Sequence, residues 1–259
     1  MIALGDFWLL HGFKQADAID HTLSDIPQFR SLRDVFHDNG LKGLYTHFMQ
    51  LTQQEVDALL IPVVQKELRR RSFHESEKNE PGYWVAEYYL NRAIKNVDRG
   101  IFSVYLFNIV HLTKGEGIFQ AAGVPHAYLK GQNVELMSNS DNVVRGGLTT
   151  KNIDVNEFVR LTMFESIKPE IIPPSAFVYG SSRSLPVPDF GIQALSLRKG
   201  EQIAFEANAP EICICMEGAA TAGSGDTEIR RGEAFIAFAG TNYTIKAIED
   251  ALLFRAVVP

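Results

Sequence analysis

The sequence predicts a mainly β fold with a helical region near its start, the β part forming two related barrels in tandem. Three observations lead there. The first hundred residues carry helix signals, the texture turns to short strand-length apolar runs from about residue 101, and one turn motif precedes three of those runs.

The helical signals come first in the chain. Thr52-Gln53-Gln54-Glu55 has the spacing of a capping box, in which the Thr hydroxyl satisfies an amide at the helix start and the Glu reciprocates. Behind it Val56, Leu59, Leu60, Val63, Val64 and Leu68 fall on one helical stripe. Pro62 interrupts the stripe and predicts a kink or a break into two helices. Arg69-Arg70-Arg71 suits a helix C-terminus and reads as a solvated end. A further helix is expected over Trp84 to Ile94.

The repeated turn motif is basic-Gly-Glu: Lys114-Gly115-Glu116, Lys199-Gly200-Glu201 and Arg231-Gly232-Glu233. Glycine supplies the positive φ that other residues avoid, so each predicts a tight turn into a strand. The wide separation of the first two copies fits two related barrels. Pro173-Pro174 and the stretch from Ser181 to Pro188 read as the linker between them. A second parallel supports the repeat. Ala121-Ala122-Gly123 leads to His126, whereas Phe238-Ala239-Gly240 leads to Tyr243, and the second barrel contains no histidine.

Bulk properties exclude several classes. The 259 residues carry a net charge of −6, which argues against a nucleic-acid surface because phosphate neutralisation needs a basic excess. The longest apolar runs are strand-length, so no membrane span is predicted, and Met1 to Asp6 lacks the basic segment of a signal peptide. Cys213 and Cys215 would share one face of one strand, where a mutual disulfide is strained. They read as two small buried side chains, and the expected compartment is the cytoplasm.

The run from Gly117 to His126, an apolar strand followed by a small-small-Gly turn and a histidine, resembles the second metal-binding motif of the cupin barrels. Gly100 to Asn108, Gly123 to Gly131, and Glu135 through Ser140-Asp141-Asn142-Val143-Val144-Arg145-Gly146-Gly147-Leu148-Thr149 closely resemble the type I mannose-6-phosphate isomerases. Phe7-Trp8-Leu9-Leu10-His11-Gly12-Phe13 is similar to another block of that family. The resemblance implies tandem cupin-like (jelly-roll) barrels, the first one incomplete. It divides the chain into a remnant of the catalytic cupin domain (1–13), a helical domain (14–98), the remainder of the catalytic domain (99–172) and a metal-free cupin-like domain (189–259).

It also implies reversible conversion of mannose 6-phosphate to fructose 6-phosphate with zinc as cofactor. His126 matches a zinc ligand, and Arg145 matches an arginine held for proton transfer or for stabilising its charged intermediate. Glu135 and Tyr128 match residues lining the sugar, and Lys151 a basic residue near the phosphate. These types suit the reaction, in which a proton alpha to a carbonyl moves through an enediol(ate). A Lewis acid and a fixed guanidinium stabilise the developing oxyanion. Glu135 can relay a proton, and Lys151 supplies a point charge for a phosphoryl group. The other histidines (His11, His21, His37, His47, His74 and His111) show no ligand spacing and read as structural or surface residues.

Three of the family's four zinc ligands, a Gln-x-His pair and the Glu of a His-Lys-Pro-Glu motif, match nothing in this sequence. The expectation is therefore an isomerase chain beginning just after that Glu and inactive alone, or one whose missing ligands come from a separate chain. The alternative is a non-catalytic cupin-type sugar-binding or regulatory protein.

Overall fold

The computed structural model describes residues 1–140, 142–181, 189–223 and 227–258. Asp141 of the long motif, and the predicted linker beyond Ser181 through Pro188, lie outside the described residues. Among those described, 15 strands form four antiparallel sheets accompanied by six α-helices, so the mainly β, cupin-type architecture is correct.

The chain enters through β1 (Ile2–Ala3) and β2 (Phe7–Phe13). It then forms α1 (Ala16–Asp25), α2 (Arg30–Gln50, kinked at Gly40), α3 (Gln53–Ser72), α4 (Pro81–Tyr89) and α5 (Ile101–Leu106). It returns through β3 (Phe107–Leu112), β4 (Gly117–Ile118), β5 (His126–Lys130) and β6 (Asn133–Val134). After α6 (Val155–Leu161) and β7 (Ile171–Ile172) it passes to the second β unit.

Strand β2 is the centre of the first unit, pairing with β3 on one side and β5 on the other. Its alternation sets two faces. Phe7 and Leu9 pack with Val110, Leu112 and Ile118 inside the β unit, while Leu10 and Phe13 join the large aromatic core of the helices. Both faces are covered, which is why this strand reads as nearly continuous apolar sequence. The short sheet β6-β1-β4-β7 forms the opposite wall.

The second unit stacks two four-stranded sheets. One orders β13 (Ala234–Ala237), β10 (Glu211–Glu217), β15 (Ala251–Val257) and β8 (Gly191–Leu197). The other orders β12 (Thr227–Arg230), β11 (Ala219–Gly223), β14 (Asn242–Ala247) and β9 (Gln202–Glu206). Cys213 and Cys215 face the core between the sheets and are free thiols, as their spacing predicts. Ile214, Met216 and Phe254 point the other way and pack on Ile2, Ile172 and Phe177 of the first unit. Lys114 adds a 2.6 Å ion pair to Glu217 across that contact.

The three basic-Gly-Glu motifs have one geometry. Gly115, Gly200 and Gly232 have φ of +87°, +87° and +88°. In each, the glutamate carboxylate accepts from the backbone N–H three residues earlier, at 2.7, 2.8 and 2.8 Å. The capping box at Thr52 and Glu55 is also present.

Several helical expectations need correction. Helix α3 is neither broken nor split at Pro62. The proline sits on the exposed side, where water can take the freed carbonyl, while Val56, Leu60, Val63 and Val64 bury both halves of the stripe. The three arginines are not simply a solvated end. Arg70 bridges the buried Glu67 at 2.9 Å and Glu80 at 2.6 Å, and Arg71 reaches Glu87 at 3.3 Å and covers the Tyr83 ring, tying α3 to α4. Helix α4 ends at Tyr89 rather than Ile94. Residues 101–106, expected as strand, form the wholly buried helix α5.

Candidate active site

The site begins at the Ala121–Val124 turn. Gly123 takes φ of +80°, Val124 N–H closes the turn onto the Ala121 carbonyl at 3.1 Å, and β5 starts two residues later. The first residue of that strand is His126. Its Nδ1 lies 2.9 Å from the Val124 carbonyl, which can only accept, so the proton is on Nδ1 and Nε2 carries the lone pair. That is the tautomer a metal or an acidic proton needs.

Directly opposite His126, on β2, stands His11. Paired positions on antiparallel strands share a face, so His11 extends the Phe7-Leu9 row and lies on the interior face beside His126. It is 5% exposed, and neither ring nitrogen meets a hydrogen-bond partner of normal geometry. Burial, then the neighbouring His126 ring, hold its pKa down to about 4, with the Phe119 backbone opposing them. The imidazole is therefore neutral in neutral solution. Sequence reasoning treated His11 as an ordinary structural or surface residue. The available signal was a histidine in phase with Phe7 and Leu9 inside an apolar strand.

A bulge shapes the β2 backbone at this point, and Gly12 makes it possible. Its φ is +61°, and a Cβ there would stand 2.2 Å from Ile167 Cδ1. Asn108 Nδ2 is turned toward the bulge, within 3.0 to 3.3 Å of the carbonyls of His11, Gly12, Phe13 and Ile167.

Arg145 arrives on a loop clamped to the start of α5. The Asp98 carboxylate accepts from Gly100 N–H at 2.7 Å through one oxygen and from Leu148 N–H at 2.9 Å through the other. Gly147 lies against Gly100 so closely that a Cβ on Gly147 would stand 2.5 Å from Gly100 Cα. Leu148 adopts φ of +54°, a conformation that needs such a clamp. No carboxylate among the described residues pairs with Arg145.

His126, Glu135 and Arg145 line one cavity of about 1080 Å³, whose wall also includes Tyr45, Ser103 and Phe119. The other two predicted residues do not line it. Tyr128 stands on the same strand face as His126, donates to Gln120 Oε1 at 2.9 Å and lies near Glu135, both of which line the cavity. Burial and the nearby Glu135 carboxylate push its phenol pKa up. Lys151 is exposed, with its backbone N–H on Thr149 Oγ1 at 3.1 Å. The donors near His126 fit a transition metal in kind, since imidazoles are common zinc ligands. In number they fall short: no group of three or more His, Cys, Asp or Glu side chains converges among the described residues.

No family model matches the chain. Curated relatives do. The sequence is 34% identical over 226 residues to the mannose-6-phosphate isomerase of Escherichia coli K12, covering 80% of this chain and 56% of that protein. It is 30% identical over 260 residues to that of Shigella flexneri, covering 95% and 62%. The fold matches the apo form of mannose 6-phosphate isomerase from Salmonella typhimurium with a TM-score of 0.75 and 26% identity, covering 99% of this chain and 65% of that one. The chain is a homologue of the mannose-6-phosphate isomerases. It spans between about half and two thirds of the length of the curated relatives it matches, for example 51% of the Cryptococcus neoformans protein. Among the described residues, no helix is long and apolar enough to cross a membrane.

Proposed function

We propose that this chain carries the sugar-phosphate pocket of a mannose-6-phosphate isomerase, interconverting mannose 6-phosphate and fructose 6-phosphate. One observation carries the reading: His126, Glu135 and Arg145 converge on a single cavity in a chain homologous to those enzymes. The reaction moves a proton between adjacent carbons of an aldose and a ketose. Glu135 relays that proton. Arg145 offers a fixed fork of donors to the developing oxyanion. Tyr128 orders the hydroxyls through Gln120, and Lys151 attracts the phosphoryl group. Zinc, held by His126 and ligands from a separate polypeptide segment, would supply Lewis-acid polarisation of the sugar oxygens.

One ligand position, His126, is fewer than the three or more that catalytic zinc sites use, and this favours a second reading. In it the chain alone binds sugar phosphate without turning it over. Calorimetry with mannose 6-phosphate, paired with release of deuterium from the sugar C2 position, separates the two. Isomerase function requires binding that falls at least about tenfold in Arg145→Ala, a loss of roughly 1.4 kcal/mol, together with zinc-dependent release of the label. Binding of unchanged strength in chelator, without release, supports the non-catalytic reading. No binding at all rejects both.

A further inference from the structure

We propose that two copies of this chain associate through the second β unit, the free edge of β13 pairing antiparallel with β13 of the other copy. Strand β13 ends its sheet, and β10 is its one ladder partner among the described residues. Its other edge therefore offers backbone N–H and C=O groups to an incoming strand. Native edges are commonly blunted by Lys, Pro or a bulge. The run Ala234-Phe235-Ile236-Ala237-Phe238 contains neither residue type and no charge, and its register with β10 is unbroken from Ala234 to Ala237.

The sheet face beside that edge is apolar beyond what the fold covers. Inward positions, Cys213 and Leu253 among them, close the barrel core. On the outward side, Ile214 and Phe254 pack under the first unit. The adjoining row, with Ile212 between Ile236 and Ala256, continues that apolar surface past the contact. No described element shields it: Ile212, Ile236, Phe238 and Val258 are each more than half exposed. A cluster of large exposed apolar side chains marks an interaction surface. A second copy is the occupant that the chemistry fits. Two chains of net charge −6 repel each other over most approaches, whereas this patch carries no charge. An antiparallel strand is also complementary to itself, since residue i meets j and j meets i about a twofold axis. Pairing joins two four-stranded sheets into one and sets Ile236 and Phe238 of each chain beside those of the other. A contact of one short strand and a few side chains falls below about 1,200 Å² in total, so the dimer is reversible rather than permanent.

The test needs no substrate, so its outcome is independent of the isomerase reading. Sedimentation equilibrium of the full chain, from low micromolar to near-millimolar concentration, should show a reversible monomer–dimer equilibrium. Ile236→Lys and Ile236→Glu should each weaken it at least tenfold, because the twofold sets like charges together. An equimolar mixture of those two variants should recover the dimer. Leu90→Lys, at an exposed apolar residue of the helical region, should change nothing. Phe238→Ser, outside the ladder, should weaken the dimer in the same direction and decides the matter if a charged variant misfolds. A chain that stays monomeric throughout, with the edge bare or capped by a different polypeptide, overturns the proposal. So does a dimer of full strength in a folded Ile236→Lys chain, or a mixture that associates no more tightly than its components.

Discussion

Replacing Asp98 with asparagine isolates the device that holds Arg145 in the cavity. The carboxylate uses both oxygens, one on Gly100 N–H at 2.7 Å and one on Leu148 N–H at 2.9 Å. An amide of the same shape offers one oxygen and turns its NH₂ toward the other N–H. One hydrogen bond to a charged acceptor is lost, about 1.5–3 kcal/mol. Nothing then offsets the left-handed backbone at Leu148 (φ +54°), which disfavours a non-glycine residue by roughly 1–2 kcal/mol. The loop from Arg145 to Leu148 should open locally while the helical core stays folded. Hydrogen exchange at Leu148 should accelerate on the order of ten- to a hundredfold, at about 1.4 kcal/mol per tenfold, with amides in α2 unchanged. Mannose 6-phosphate binding should fall as it does in Arg145→Ala, although Arg145 is intact. Unchanged exchange at both Leu148 and Gly100 in Asp98→Asn would refute the clamp.

Other expectations follow from buried charge and backbone conformation. Burial pushes the Lys14 ammonium down to about 8 from 10.5, with Nζ on the Tyr105 carbonyl at 2.8 Å. Between those values the unfolded chain binds the extra proton, so stability rises with pH by up to about 3 kcal/mol. Thermal unfolding of the natural chain relative to Lys14→Met should show that gain between pH 8 and 10.5, and parallel curves would exclude it. In the second barrel, Glu211 is held by Arg255 at 2.5 and 2.7 Å and by Tyr243 at 2.6 Å. Glu211→Gln should destabilise by about 3–5 kcal/mol in urea unfolding, because it strands a buried guanidinium, and Glu211→Leu with Arg255→Met should recover much of that loss. Gly200→Ala meets no atom within 4 Å and should cost only the conformational 1–2 kcal/mol or so. Gly218→Ala would put its Cβ 2.0 Å from the Asp250 carbonyl oxygen and should cost measurably more in the same assay.

The features legible in the sequence were those set by local chemistry. The three basic-Gly-Glu turns could be read because a positive φ and a glutamate folding back on a nearby amide are complete within four residues. The capping box at Thr52 is complete within the same span. Helix α5 was not legible. Ile101 to Leu106 are all buried, so no polar face marks a helical period, and a short uniform apolar run looks like a strand. Of the two outcomes expected at Pro62, the break does not occur, because burial on the opposite face of α3 outweighs one lost hydrogen bond. Of the site residues, His126, Glu135 and Arg145 were found because one motif-rich stretch carries them. Asp98, which clamps the Arg145 loop through Gly100 and Leu148, comes from a distant element and carries no motif of its own.

The two barrels show what distinguishes a site from a core when both use the same backbone. Gly123 and Gly240 each take φ of +80°, and each closes its turn with a 3.1 Å hydrogen bond from the next residue back to the one two before it. The strand that follows presents His126 in one barrel and Tyr243 in the other. Tyr243 is 4% exposed, donates to Glu211 and accepts from Arg255 Nε at 3.0 Å, so its hydroxyl is answered from within the barrel. His126 is exposed, its ring Nδ1 stands 2.9 Å from a carbonyl of its own turn, and its neighbour across the ladder is the buried His11. The turn therefore delivers a side chain to the barrel interior in both cases. What differs is the surroundings: Tyr243 is closed in by Glu211 and Arg255, whereas His126 lines an open cavity.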